Sequence, residues 1–170
     1  MTFPSQPEGA YTFKVRQTDL AGNLGPAATR GLTIDVTPPG AAVITSGPPV
    51  LTNNATPTFT FTGELGATFR CSLESGADQF ADCASPFVPD PALVSDGSWT
   101  FKVLQVDEAG NPQSAAPATY TFALDTTPPS APVFGGGNPP AQSNDSTPTF
   151  VFSGELSATF ECSLSTGADA

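Results

Sequence analysis

Apolar and polar residues alternate with period two through most of this chain, the pattern of half-buried strands. In residues 58–62 the rings of Phe59 and Phe61 fall on one side and the threonines on the other. Residues 67–73 put Phe69, Cys71 and Leu73 on one face. Residues 99–103 set Trp99, Phe101 and Val103 inward against Thr100 and Lys102. Residues 119–124 do the same with Tyr120, Phe122 and Leu124. Segments 42–45 and 79–83 complete a predicted set of six or seven short strands. Turn chemistry punctuates them at Gly47-Pro48-Pro49, Thr62-Gly63, Glu74-Ser75-Gly76, Asp96-Gly97 and Ala109-Gly110-Asn111. No window combines helical periodicity with caps. The predicted class is all-β.

The same pattern recurs over a longer distance. The stretch from Thr56-Pro57-Thr58-Phe59 to Phe69-Arg70-Cys71-Ser72-Leu73 returns 91 positions later, from Thr147-Pro148-Thr149-Phe150 to Phe160-Glu161-Cys162-Ser163-Leu164. Tyr11-Thr12-Phe13-Lys14-Val15 and Asp19-Leu20-Ala21-Gly22-Asn23 return 88 positions later as Trp99-Thr100-Phe101-Lys102-Val103 and Asp107-Glu108-Ala109-Gly110-Asn111. Asp35-Val36-Thr37-Pro38-Pro39 returns 90 positions later as Asp125-Thr126-Thr127-Pro128-Pro129. The implied division is residues 1–39 as the C-terminal part of one repeat, 40–129 as a complete repeat, and 130–170 as the N-terminal part of a third. Together the two parts cover nearly one repeat and lack only the counterpart of residues 80–88. Seven short strands in about 90 residues, with turns every 8–12, point to an immunoglobulin-like β-sandwich.

Composition narrows the chemistry. The chain has no histidine, which excludes Ser-His and Cys-His nucleophiles and His-ligated metals. Sixteen acidic residues against five basic ones give a formal charge of −11, and no Lys or Arg follows Lys102. That balance argues against nucleic acid or an anionic membrane surface as partner. No apolar run approaches the ~18 residues of a spanning helix, so membrane insertion is not expected. No basic or apolar leader follows Met1, so no signal peptide is read there. Nineteen prolines and 16 glycines are high, but 13 phenylalanines supply a core and oppose disorder.

The succession Asp-Gly-x-(Tyr/Trp)-Thr-Phe-x-Val, then Asp-x-Ala-Gly-Asn, then Asp-x-Thr-Pro-Pro resembles the bacterial immunoglobulin-like (Big-type) tandem repeats of large secreted and surface proteins. The resemblance covers essentially the whole chain. It implies an immunoglobulin-like fold, export, and a place outside the cell or on its surface. It leaves function open, since such repeats serve as stalks, adhesin spacers, fibre subunits and enzyme accessory modules.

Each chemical motif has a structural reading beside it. Cys71 and Cys83, twelve apart, suit a disulfide between neighbouring strands in an oxidising compartment. Two buried thiols or half a metal site compete with it, though two Cys without His make a poor zinc site. Cys162 corresponds to Cys71 and is left without a partner within the chain. Asp107 to Asn111, like Asp19 to Asn23, could offer oxygens to Ca²⁺, as could Asp35 and Asp125 beside the joints; a self-capping Asp turn explains the same residues. Calcium is thus the one cofactor in view, and the expectation is none. Pro38, Pro39, Pro128 and Pro129 make stiff linkers. The sequons at Asn54 and Asn144 read as polar turn residues. Glu64 with Glu155, or Asp78 with Asp82, could be weighed as glycosidase carboxylates. Glu64 and Glu155, however, repeat at one position in successive modules, and no catalysis is expected. The expected function is a fibre subunit or stalk, with half repeats completed head-to-tail by a second copy or by neighbouring repeats of the same polypeptide. An adhesin or carbohydrate-binding module, and an accessory module of a secreted hydrolase, are the alternatives; aromatics on a solvent-facing sheet would favour the former, and nearly all Phe are expected inward.

Overall fold

The structure, a computed structural model, describes residues 2–166 and divides into two compact units, Met1–Thr126 and Thr127–Ala170. Among the described residues there is no helix. The first unit opens with a hairpin of β1 (Gly9–Val15) and β2 (Ala28–Ile34). A seven-stranded domain follows: β3 (Val43–Ser46), β4 (Leu51–Thr52), β5 (Thr60–Thr62), β6 (Thr68–Glu74), β7 (Ala81–Cys83), β8 (Gly97–Val106) and β9 (Ala118–Leu124). The second unit contains β10 (Val133–Phe134) and β11 (Phe152–Ser153), paired antiparallel.

The domain is a sandwich. One layer is a five-stranded sheet in the order β4-β9-β8-β6-β7, and the other is the pair β3-β5. All ladders are antiparallel except β4 with β9, which run parallel. The period-two pattern places the apolar side chains between the layers. Phe59 and Phe101 are fully buried and stack at 4.2 Å, while Phe122 and Tyr120 close on Phe59 at 5.8 and 6.0 Å. Burying a ring of this size contributes about 1.5–3 kcal/mol. Phe61, Val103, Leu124, Cys71 and Ala42 complete the core.

Two elements differ from the sequence reading for stated reasons. Phe59 lies outside β5, because its N–H and C=O pair with Phe87 at 2.9 and 2.8 Å. Strand β8 runs three residues past Val103, so its inward positions include Gln105, which is 2 % exposed. A polar residue ended the apolar alternation in sequence; in the fold its amide is satisfied by backbone, as described next.

Candidate functional site

The first Thr-Pro-Pro joint is held by side chains from the far end of the domain. Gln105 Nε2 donates to Gly40 O at 2.9 Å, and its Oε1 accepts from Glu64 N at 2.8 Å. Gln113 Oε1 accepts from Gln105 N at 2.9 Å and from Ala42 N at 3.3 Å. Beside them the 107–111 loop closes on itself. Asp107 Oδ1 accepts from Asn111 N at 2.7 Å, and Oδ2 from Asn111 Nδ2 at 2.9 Å, with Gly110 at φ 92°. Asn111 Nδ2 also donates to Asp35 O at 3.1 Å, so the loop grips the residue where the linker begins. Pro39 is buried in this joint while Pro38, Pro128 and Pro129 are exposed.

The 19–23 loop repeats the turn. Asp19 accepts from Ala21 N, Asn23 N and Asn23 Nδ2, and Gly22 sits at φ 91°. The Asn side chain and the loop amides hold the carboxyls of Asp19 and Asp107 below the ordinary aspartate value of 3.8, each against some opposing desolvation. The turn chemistry thus occupies both oxygens of each carboxylate. Among the described residues no group of three or more His, Cys, Asp or Glu is arranged to hold a metal.

Each unit also has an open apolar face of its own. Hairpin β1–β2 pairs Gly9 with Ile34 through to Val15 with Ala28, the register in which Gly97 pairs with Leu124 through to Val103 with Ala118. Its inward face is open apart from an edge-on contact of Phe3 with Phe13: Phe13 is 42 % and Val15 52 % exposed, where their counterparts Phe101 and Val103 are 0 %. In the second unit, Val133 pairs with Ser153 and Phe134 with Phe152, as Val43 pairs with Thr62 and Ile44 with Phe61. Phe150, the counterpart of Phe59, is 45 % exposed. Together with Pro148, Phe152, Phe160, Cys162 and Leu164 it lines an apolar cleft of about 540 Å³. The expectation that nearly all Phe face inward is therefore corrected. Phe13, Phe134, Phe150 and Phe160 are inward by pattern yet exposed, because among the described residues no second sheet layer packs on either face within its own unit.

Residues 45–126 match the family described as bacterial Ig-like domain. This stretch is a bacterial Ig-like domain. No curated protein gives a match to the chain. Bacterial Ig-like domains are generally non-catalytic and typically extracellular or on the surface. The Ig-like domain here carries a Cys71–Cys83 disulfide joining the neighbouring strands β6 and β7, in keeping with an oxidising compartment. Cys162 is free and exposed. Asp78 and Asp82 are each met by a cation: Lys102 Nζ lies 2.6 Å from Asp78, and Arg70 Nε 3.8 Å from Asp82. In the sequon at 54, Asn54 Oδ1 accepts from Thr56 N and Oγ1; Asp145 does the same for Thr147 beside the second sequon. Gln105 and Gln113 are the pair bracing the first Thr-Pro-Pro joint that sequence reasoning missed. The signal at Gln105 was polarity on the inward alternation of β8, whereas Gln113 lies in the loop between β8 and β9 and gave none.

Proposed function

We propose that this chain is a structural module of an extracellular bacterial fibre or stalk. Its half repeats are completed head-to-tail by complementary halves, either from a second copy or from neighbouring repeats of the same polypeptide. One observation carries this reading. Each half keeps the strand register of the matching half of the Ig-like domain while leaving its inward aromatic face open. Apolar surface of this kind favours burial by about 25 cal/mol per Å², and a heterologous contact between unlike halves does not close on itself, so it extends linearly. The braced Thr-Pro-Pro joint, with Asp35 and Gly40 carbonyls held by Asn111 and Gln105, suits a module that transmits load. Sedimentation and electron microscopy of the 170-residue chain over a range of concentrations test the reading. Linear oligomers that grow with concentration are expected, and a strictly monomeric protein at every concentration overturns it.

A further inference from the structure

Completion of the half repeats can be specified residue by residue, and this inference rests on the reading just given. In the Ig-like domain, β6 pairs with β8 so that Cys71 faces Val103, Arg70 faces Leu104, Phe69 faces Gln105 and Leu73 faces Phe101. Carrying the repeat across, Cys162 faces Val15, Glu161 faces Arg16, Phe160 faces Gln17 and Leu164 faces Phe13. We propose that the cleft of the C-terminal unit receives the β1–β2 hairpin of a second copy in this register.

Three observations favour that occupant over an unrelated apolar partner. The first is charge. Where the intact domain sets Arg70 against Leu104, the two halves set Glu161 against Arg16, an opposite pair in a chain that has only five basic residues. The second is a matched loss. Ala42 N donates to Gln113 Oε1 in the intact domain; the counterpart of Ala42 is Pro132, which has no N–H, and the counterpart of Gln113 is Gly25, which has no amide. The Ala42 donor and this acceptor disappear together, while the second donor to Gln113 Oε1, Gln105 N, keeps a counterpart in Gln17 N. The third is local order. Residues 159–165 carry nearly the sequence of β6 but form no strand, while β6 is laddered to β7 and β8 on its two sides. An incoming β1 supplies one of those ladders and sets Phe13 on Phe150, as Phe101 stacks on Phe59.

The native Cys162 makes the register measurable, since a cross-strand pair lies within disulfide reach. Purified Val15→Cys protein is oxidised beside Lys14→Cys, V15C/C162S and the unaltered chain. Products are read on non-reducing gels, linkages by mass spectrometry, and association by sedimentation. A ladder of dimers, trimers and longer species joined by 15–162 links is expected from V15C, and its loss from K14C and V15C/C162S. Reversing Arg16→Glu is expected to weaken association on the order of fivefold, and adding Glu161→Arg to restore it. A chain that self-associates without a 15–162 link, or that links equally well through K14C, overturns this register and leaves completion of the half repeats standing. A V15C monomer closed by an internal 15–162 link overturns the second copy as occupant. A chain monomeric at every concentration overturns both readings.

Discussion

Gln105 ties the start of the domain to the turn that follows β5. One amide joins Gly40 O to Glu64 N across the sandwich, and Gln113 supports it from the side. Gly63 is what leaves room for it: a Cβ there would lie 2.1 Å from Gln105 Oε1 and 2.8 Å from the Phe69 ring. Gly63→Ala is therefore expected to destabilise the domain by about 1–3 kcal/mol, by ejecting a buried amide from its partners, as chemical denaturation would show. Asp107 gives a pH signature. Its carboxyl is held below 3.8 in the folded state, mainly by Asn111, so its contribution is complete above that value. The contribution is lost as pH falls through the lower folded value. Asp107→Asn should be less stable at neutral pH, and its deficit should shrink as pH falls below 3.8. A deficit that stays constant down to the acid limit would disprove the assignment.

Strands β6 and β7 show what a short element needs. β7 has three residues, held by three ladder pairs, the Cys71–Cys83 bond and the Arg70–Asp82 pair. The ion pair is exposed and contributes little, so the disulfide governs this edge. Its removal by Cys71→Ser with Cys83→Ser is expected to cost about 3 kcal/mol in the chain-entropy model, read as a lowered denaturation midpoint against the oxidised protein. Elements with a clean period of two were legible from sequence: β6, the core of β8 and β9 all fall where Phe69, Phe101 and Phe122 predicted. Strand β4 was not, because two residues give no periodicity and its partner β9 lies about seventy positions away. The end of β8 was hidden by Gln105, whose burial depends on backbone groups from Gly40 and Glu64. Residues 159–165 fail in the opposite sense. Their sequence reads as a strand, but a strand exists only where a neighbour completes its ladder, so the alternation alone did not reveal the open cleft.

At the scale of the molecule, the core is concentrated in the Ig-like domain, where Phe59, Phe101, Phe122 and Leu124 are shielded within one repeat. Residues 40–126 expressed alone are therefore expected to unfold in one cooperative transition. Phe59→Ala should lower their stability by about 3–5 kcal/mol, whereas Phe150→Ala in the full chain should leave that transition unmoved. Calorimetry distinguishes the two. The parallel pairing of β4 with β9 then acquires a mechanical meaning. Ala123 N donates to Val50 O at 2.8 Å and Asp125 N to Thr52 O at 2.9 Å, joining a strand near the domain's entrance to the strand at its exit. Tension applied through the two linkers drags these strands lengthwise past each other. The hydrogen bonds are thus sheared together instead of being unzipped one after another.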